Sequence, residues 1–162
     1  MTVKPEHLGR FDIFGEQQRF FTFFKKIFRH EFRKNGFTRL TTSVFDTEEE
    51  SRMAYPDGLV MGGCPADRPE YGYVLKSHGY LTMLRAYCAH MRAEPQPVYH
   101  YTLEPQFRYL ANGRGIDQYW ALNAYAIGEA DPILDATLLS VYSVILDDVG
   151  LAGRYRISLN SR

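Results

Sequence analysis

The sequence predicts an α+β fold, a mainly antiparallel sheet backed by helices, and three observations carry that reading. Residues 16–34 place their large apolar side chains on one helical face, and residues 131–149 do the same. Between them, residues 98–128 read as two long strands joined by a polar, glycine-containing turn. Each helix has an apolar face that needs a sheet to cover it. At 162 residues, the chain is expected to form one domain over residues 1–162.

Composition narrows the class. Hydrophobic residues make up 45% and aromatic residues 15%, so a disordered tail is excluded as the main content. Lysine plus arginine and aspartate plus glutamate both number 19, so there is no global basic field and any RNA contact must come from a local patch. Cys64 and Cys88 make no disulfide framework, and nothing at the N-terminus resembles a signal peptide, which points to a reducing cytoplasm. Cys88 and His90 are half of a ligand set, so no structural metal is expected. The longest apolar run, near residues 138–146, is broken by serines and too short to span a bilayer, so no membrane partner is expected.

In chain order, the first helix carries apolar residues at 20, 21, 23, 24, 27, 28 and 32. Lys25, Lys26, Arg29, His30, Arg33 and Lys34 fill the remainder. Such a basic stripe can meet RNA or a membrane surface, although a solvated face is its commoner meaning. Asn35-Gly36 ends the helix. Phe37–Phe45 is β-branched and alternating, and reads as a strand. Residues 47–72, acidic and then rich in glycine and proline, read as a loop region with a short strand at Leu59–Met61. Tyr73–Leu75 is a short strand and Gly79–Met91 a helix.

The hairpin then turns at Leu110–Gly115, where Asn112-Gly113 and Gly115 accept positive φ cheaply. Arg108, flanked by aromatics just before that tip, sits at the mouth of the sheet, where its fork can reach a phosphate or carboxylate. The plain alternative is a surface arginine on an ordinary hairpin. Asp131-Pro132 caps and starts the last helix, which closes at Gly150. Arg154–Leu159 alternates Tyr155, Ile157 and Leu159 and reads as a final strand.

The order Phe107-Arg108-Tyr109, loop, Gln118-Tyr119-Trp120-x-Leu122-Asn123, Ile127-Gly128, Asp131-Pro132-x-x-Asp135-Ala136 and Leu159-Asn160-Ser161-Arg162 resembles the class II histidyl-tRNA synthetase core around its motif 2. The likeness covers most of residues 8–162 and includes Gly9-Arg10-Phe11-Asp12, similar to the family's Gly-x-Arg-Asp opening. It implies a class II sheet and ATP-dependent ligation of histidine to its tRNA. ATP with magnesium, histidine and tRNA would be the ligands, and a homodimer would be built on the motif 1 helix and strand, here residues 16–45. By the same resemblance Arg108 would contact the α-phosphate and the amino-acid carboxylate, Tyr119 would stack on adenine, and Arg114 would reach the outer phosphates. His78, Tyr80, Ala121 and Tyr125 would line the amino-acid pocket.

Several of those positions depart from the family. Ser43 stands where motif 1 has proline and Asp46 where it has glutamate. His78 and Tyr80 replace a glutamate and a threonine that hold the amino acid, so an acceptor for an ammonium becomes an imidazole. A plain helix-start residue is the alternative for His78. Leu110-Ala111-Asn112 replaces Glu-Arg-Pro and removes the carboxylate that reads adenine. Ala121 replaces glutamine, and Tyr125 an acidic residue. Motif 3, with a second ATP-binding arginine, would lie beyond Arg162, so the 162 residues correspond to a core lacking motif 3. The expectation is therefore a histidine-tRNA-ligase-like core that does not catalyse by itself. A noncatalytic dimerising or regulatory ligand-binding relative is the alternative, and an RNA-binding module using the basic helix is a third.

Overall fold

A computed structural model describes residues 8–9, 12–54, 62–63, 72–109 and 116–160. The chain runs β1 (Leu8–Gly9), α1 (Gly15–Lys34), β2 (Thr38–Arg39), β3 (Phe45–Asp46), α2 (Glu48–Ala54), β4 (Gly62–Gly63), β5 (Tyr73–Leu75), α3 (Gly79–Ala86), β6 (Val98–Tyr109), β7 (Ile116–Ile127) and α4 (Pro132–Leu146). Both α3 and α4 continue into a π-helical turn, at Tyr87–Met91 and Asp147–Leu151.

The expected α+β architecture is present. β6 and β7 pair antiparallel over their whole length, from Val98 opposite Ile127 to Tyr109 opposite Ile116. Short β1 and β2 add to the outer edges in parallel, giving the order β1-β7-β6-β2. A second antiparallel sheet, β3-β5-β4, supplements the expected one. Lys76 joins the two sheets: its N–H donates to the Val44 carbonyl at 2.9 Å, and its carbonyl accepts from Phe107 N–H at 3.0 Å.

Alternation along β6 assigns its faces. Tyr99 and Tyr101 face α1 and α4, and meet Leu122 and Ala124 of β7 in a core built on Phe32, Phe37, Val141 and Ile145. Phe32 anchors this layer. Its ring stacks on Tyr101 with centroids 4.9 Å apart and meets Phe37 and Tyr142 edge-on. α1 ends as its sequence directs: the Asn35 side chain donates to the Glu31 carbonyl at 2.8 Å, and Gly36 adopts φ +83, which a side chain would strain. At the start of α4, the Asp131 carboxylate accepts from Ile133 N–H at 2.8 Å with Pro132 next to it.

Three local expectations change. The Phe37–Phe45 strand is reduced to β2 and the start of β3, because between them Thr42 turns its N–H to the Glu104 carboxylate and Phe45 N–H goes to the Ser43 hydroxyl. Part of the loop after Thr47 is helical. Thr47 and Glu50 form a reciprocal capping box, each backbone N–H bonded to the other's side chain, which nucleates α2 without an apolar period. Arg154–Leu159 pairs with no strand among the described residues. Tyr155 turns its hydroxyl to Ser143 and Asp147 on α4, and Leu159 is 75% exposed. The short strand at Leu59–Met61, the hairpin tip at residues 110–115, and Arg10 with Phe11 lie outside the described residues. Among the described residues, no helix is long and apolar enough to cross a membrane.

Candidate functional site

The face of the β6–β7 pair turned away from the core is polar, and that asymmetry builds the site. Thr102, Glu104, Gln106 and Arg108 of β6 stand opposite Asn123, Ala121, Tyr119 and Asp117 of β7. Strand pairing at this register brings together side chains far apart in sequence.

Arg108 and Tyr119 are brought together. The Arg108 guanidinium lies over the Tyr119 ring at 4.8 Å and reaches Asp117 with Nη2 at 3.1 Å and Nε at 3.3 Å, both to Oδ2. The Arg108 side chain is 58% exposed, so its fork stands at the open end of the face. Tyr119 is fixed from below: its hydroxyl donates to Gln106 Oε1 at 2.9 Å and lies 3.4 Å from the Ser77 carbonyl. A cation held flat on an aromatic ring keeps its in-plane donors available for an anion. Arg114 lies outside the described residues.

The expected amino-acid positions separate. His78 caps α3, with Nδ1 accepting from Tyr80 N–H at 3.2 Å, so its ring serves the helix start. Ala121 stands opposite Glu104. Tyr80 and Tyr125 instead line a common cavity of about 550 Å³ between α3, the end of β7 and the start of α4, with Met83, Leu134 and Leu138 among its walls. Gly79 presses onto the polar face: a Cβ there would lie 2.7 Å from the Tyr125 hydroxyl and 3.0 Å from the side-chain amides of Asn123 and Gln106. A side chain there would have to push the Tyr125 hydroxyl aside. Burial pushes the Tyr125 phenol up to about 12, and in this geometry the hydroxyl makes no hydrogen bond. Tyr125 is therefore a neutral phenol at any physiological pH, at a position where the sequence resemblance implied an acidic residue.

Beneath the site lies a group that sequence reasoning missed. Lys76 is 0% exposed, and its ammonium contacts Glu104 Oε2 at 2.6 Å and Thr42 Oγ1 at 3.1 Å. Glu104 also accepts from the Thr42 hydroxyl at 2.8 Å and from Thr42 N–H. This buried network locks the segments before β3 and after β5 onto β6 and fixes the strand that carries Gln106 and Arg108. The period-two run of polar residues at 102, 104, 106 and 108, inside a strand otherwise read as aromatic, was the available signal.

Comparison with known proteins decides the fold family. A histidine–tRNA ligase from Thermus thermophilus is 28% identical over 159 residues, covering 94% of this chain and 38% of the relative. One from Pelobacter propionicus is 25% identical over 146 residues, covering 86% of this chain and 35% of the relative. Among solved structures, an ATP phosphoribosyltransferase regulatory subunit/histidyl-tRNA synthetase from Bacillus halodurans superposes with a TM-score of 0.77 at 16% identity, covering 93% of this chain and 39% of that one.

The chain has a histidyl-tRNA-synthetase-like class II core. Apo histidyl-tRNA synthetase from S. aureus agrees, with a TM-score of 0.72 at 21% identity over 93% of this chain and 35% of that one. No family model matches the sequence. This synthetase-like core spans about 35–38% of the length of those two curated relatives.

Proposed function

We propose that this synthetase-like core is a noncatalytic ligand-binding unit in which Arg108, steadied on Tyr119, holds the phosphate or carboxylate of a small ligand such as ATP or an amino acid. The carrying observation is Arg108 itself, exposed at the open end of the polar face with Asp117 as its ion-pair partner. Asp117 acts as an internal stand-in for the anion and must release the guanidinium when a ligand arrives. The altered positions His78, Ala121 and Tyr125 support a regulatory role over ligation of histidine to tRNA, and the fold shared with a structure described as an ATP phosphoribosyltransferase regulatory subunit/histidyl-tRNA synthetase is compatible with it.

Titration with ATP tests this directly. Arg108→Ala removes charge-assisted hydrogen bonds worth about 1.5–3 kcal/mol, so ATP affinity falls roughly tenfold or more. Asp117→Asn frees the guanidinium and tightens binding up to about fivefold, the range of an exposed ion pair. Equal affinity in the wild type and both variants would remove Arg108 from the site.

A second copy of the chain fits the outer edge of α1. Ile27, Phe28 and Phe32 of that helix are spent on the core, but Phe20 and Phe23 remain 56% and 48% exposed, and Phe14 just before the helix is exposed too. Sedimentation at tens of micromolar is expected to give a dimer that Phe20→Ser with Phe23→Ser dissociates. A wild-type monomer at that concentration would rule out this pairing.

A further inference from the structure

The chain is neutral overall, yet its cations are not evenly spread. Lys26, Arg29, His30, Arg33 and Lys34 line one depression of about 390 Å³ on the outer face of α1. A second, of about 230 Å³, shares Lys26 and Arg29 and adds Lys25 and, from β2, Arg39, over a floor of Tyr101 and Leu103. The two adjoin at Lys26 and Arg29 and together make a basic groove along α1, with Arg39 of β2 across from the helix in the second. Among the described residues, Lys26, Arg29, Arg33 and Arg39 have no carboxylate within ion-pair distance. Lys34 and His30 are near a single one, the buried Glu31, at 3.9 Å and 3.6 Å. Like charges crowded without counter-charges raise the local potential and favour an anion.

We infer that this groove docks the phosphate backbone of a nucleic-acid strand. Three observations select that partner. Lys25, Arg29 and Arg33 follow one another at four-residue intervals, so the cations extend about 12 Å along the helix axis, longer than one phosphate and suited to several in succession. Ile27, Phe28 and Phe32, the apolar residues within this stretch, are turned into the core, so the groove itself offers a bilayer no apolar side chain, the exposed Phe20 and Phe23 lying before it toward the start of α1. A second copy meeting this face symmetrically would set cation against cation. The groove lies on α1 and β2, on the opposite side of the β6–β7 sheet from Arg108, so it is separate from the proposed ligand site.

The contact is to phosphate, so RNA and DNA single strands of one sequence should bind within about threefold of each other. Engagement of about four phosphates on a single strand gives a salt slope near −2.8, hence roughly a 50-fold loss of affinity between about 50 and 200 mM salt. The test is fluorescence anisotropy with a labelled single-stranded RNA and the matching DNA, on the whole chain. Arg29→Glu with Arg33→Glu should weaken binding at least about tenfold, while the same reversal at exposed Arg154 and Arg156 leaves it within about twofold. Circular dichroism on both double variants establishes that they are folded. Binding that ignores the α1 reversal, that falls equally in the Arg154/Arg156 variant, or that is absent at low salt overturns the inference. Preference for phosphatidylserine vesicles over RNA also overturns it, in favour of a membrane.

Discussion

Glu104→Ala is expected to destabilise the fold by about 3–5 kcal/mol, because it strands the Lys76 ammonium in the interior without a counter-charge. Lys76 is completely buried, and Thr42 would lose the acceptor of both its N–H and its hydroxyl. The loss reaches the site, since Lys76 also bonds through its backbone to Val44 and Phe107. Removing both charges is a different perturbation. A Lys76→Met/Glu104→Met double variant leaves no buried charge unpaired and should recover most of the stability, because an apolar pair of similar volume avoids the desolvation that the ion pair suffers. Urea denaturation of the wild type, each single and the double gives the coupling directly. A Glu104→Ala loss under about 1 kcal/mol would mean that solvent reaches Lys76.

Phe32→Ala should cost a similar amount, about 3–5 kcal/mol, while Phe23→Ala on the same helix stays within about 0.5 kcal/mol. The ring of Phe32 is enclosed by Phe37, Tyr101 and Tyr142, and those neighbours belong to three different elements that cannot all move in to fill the space. Phe23 touches Phe24 but is about half exposed. Thermal melts of the two variants separate the buried face of α1 from its outer edge. Equal losses would show that the outer edge is covered in solution.

That contrast also marks how far the sequence was legible. Period and caps located α1, α3, α4 and the β6–β7 hairpin, because each of those elements buries a regular stripe or ends in a residue with one dominant backbone preference. Local patterns failed where a side chain captured the backbone. Thr42 N–H goes to Glu104 rather than to a neighbouring strand, so the expected strand at residues 37–45 breaks. Arg154–Leu159 alternates like a strand, yet among the described residues its side-chain hydrogen bonds come from Tyr155, to Ser143 on α4 and Asp147 at that helix's end. α2 was readable from Thr47-x-x-Glu50 but lacks the apolar period that draws attention to a helix.

In the candidate site, Arg108 beside Tyr119 follows from two strands in register around a six-residue tip, and the arginine was singled out for that position. The Lys76–Glu104 pair lies 28 residues apart and depends on how β5 meets β6, which no local pattern encodes. Likewise, nothing in the sequence around Gly79 announces that α3 presses against Gln106, Asn123 and Tyr125.

Histidine-dependent exchange of pyrophosphate into ATP is the measurement that tests the noncatalytic reading most directly. Activation needs groups that act on the transition state, whereas His78 is committed to a helix cap, position 121 is alanine, and Tyr125 is a phenol that stays neutral. Loss of one preorganised contact typically lowers rate about 10²- to 10³-fold, so the combined changes put exchange at background. The expected result for the purified chain is no histidine-dependent exchange alongside ATP binding that Arg108→Ala weakens. Exchange that requires histidine and disappears in Arg108→Ala would contradict it, and would make this face a working activation site with a substituted pocket.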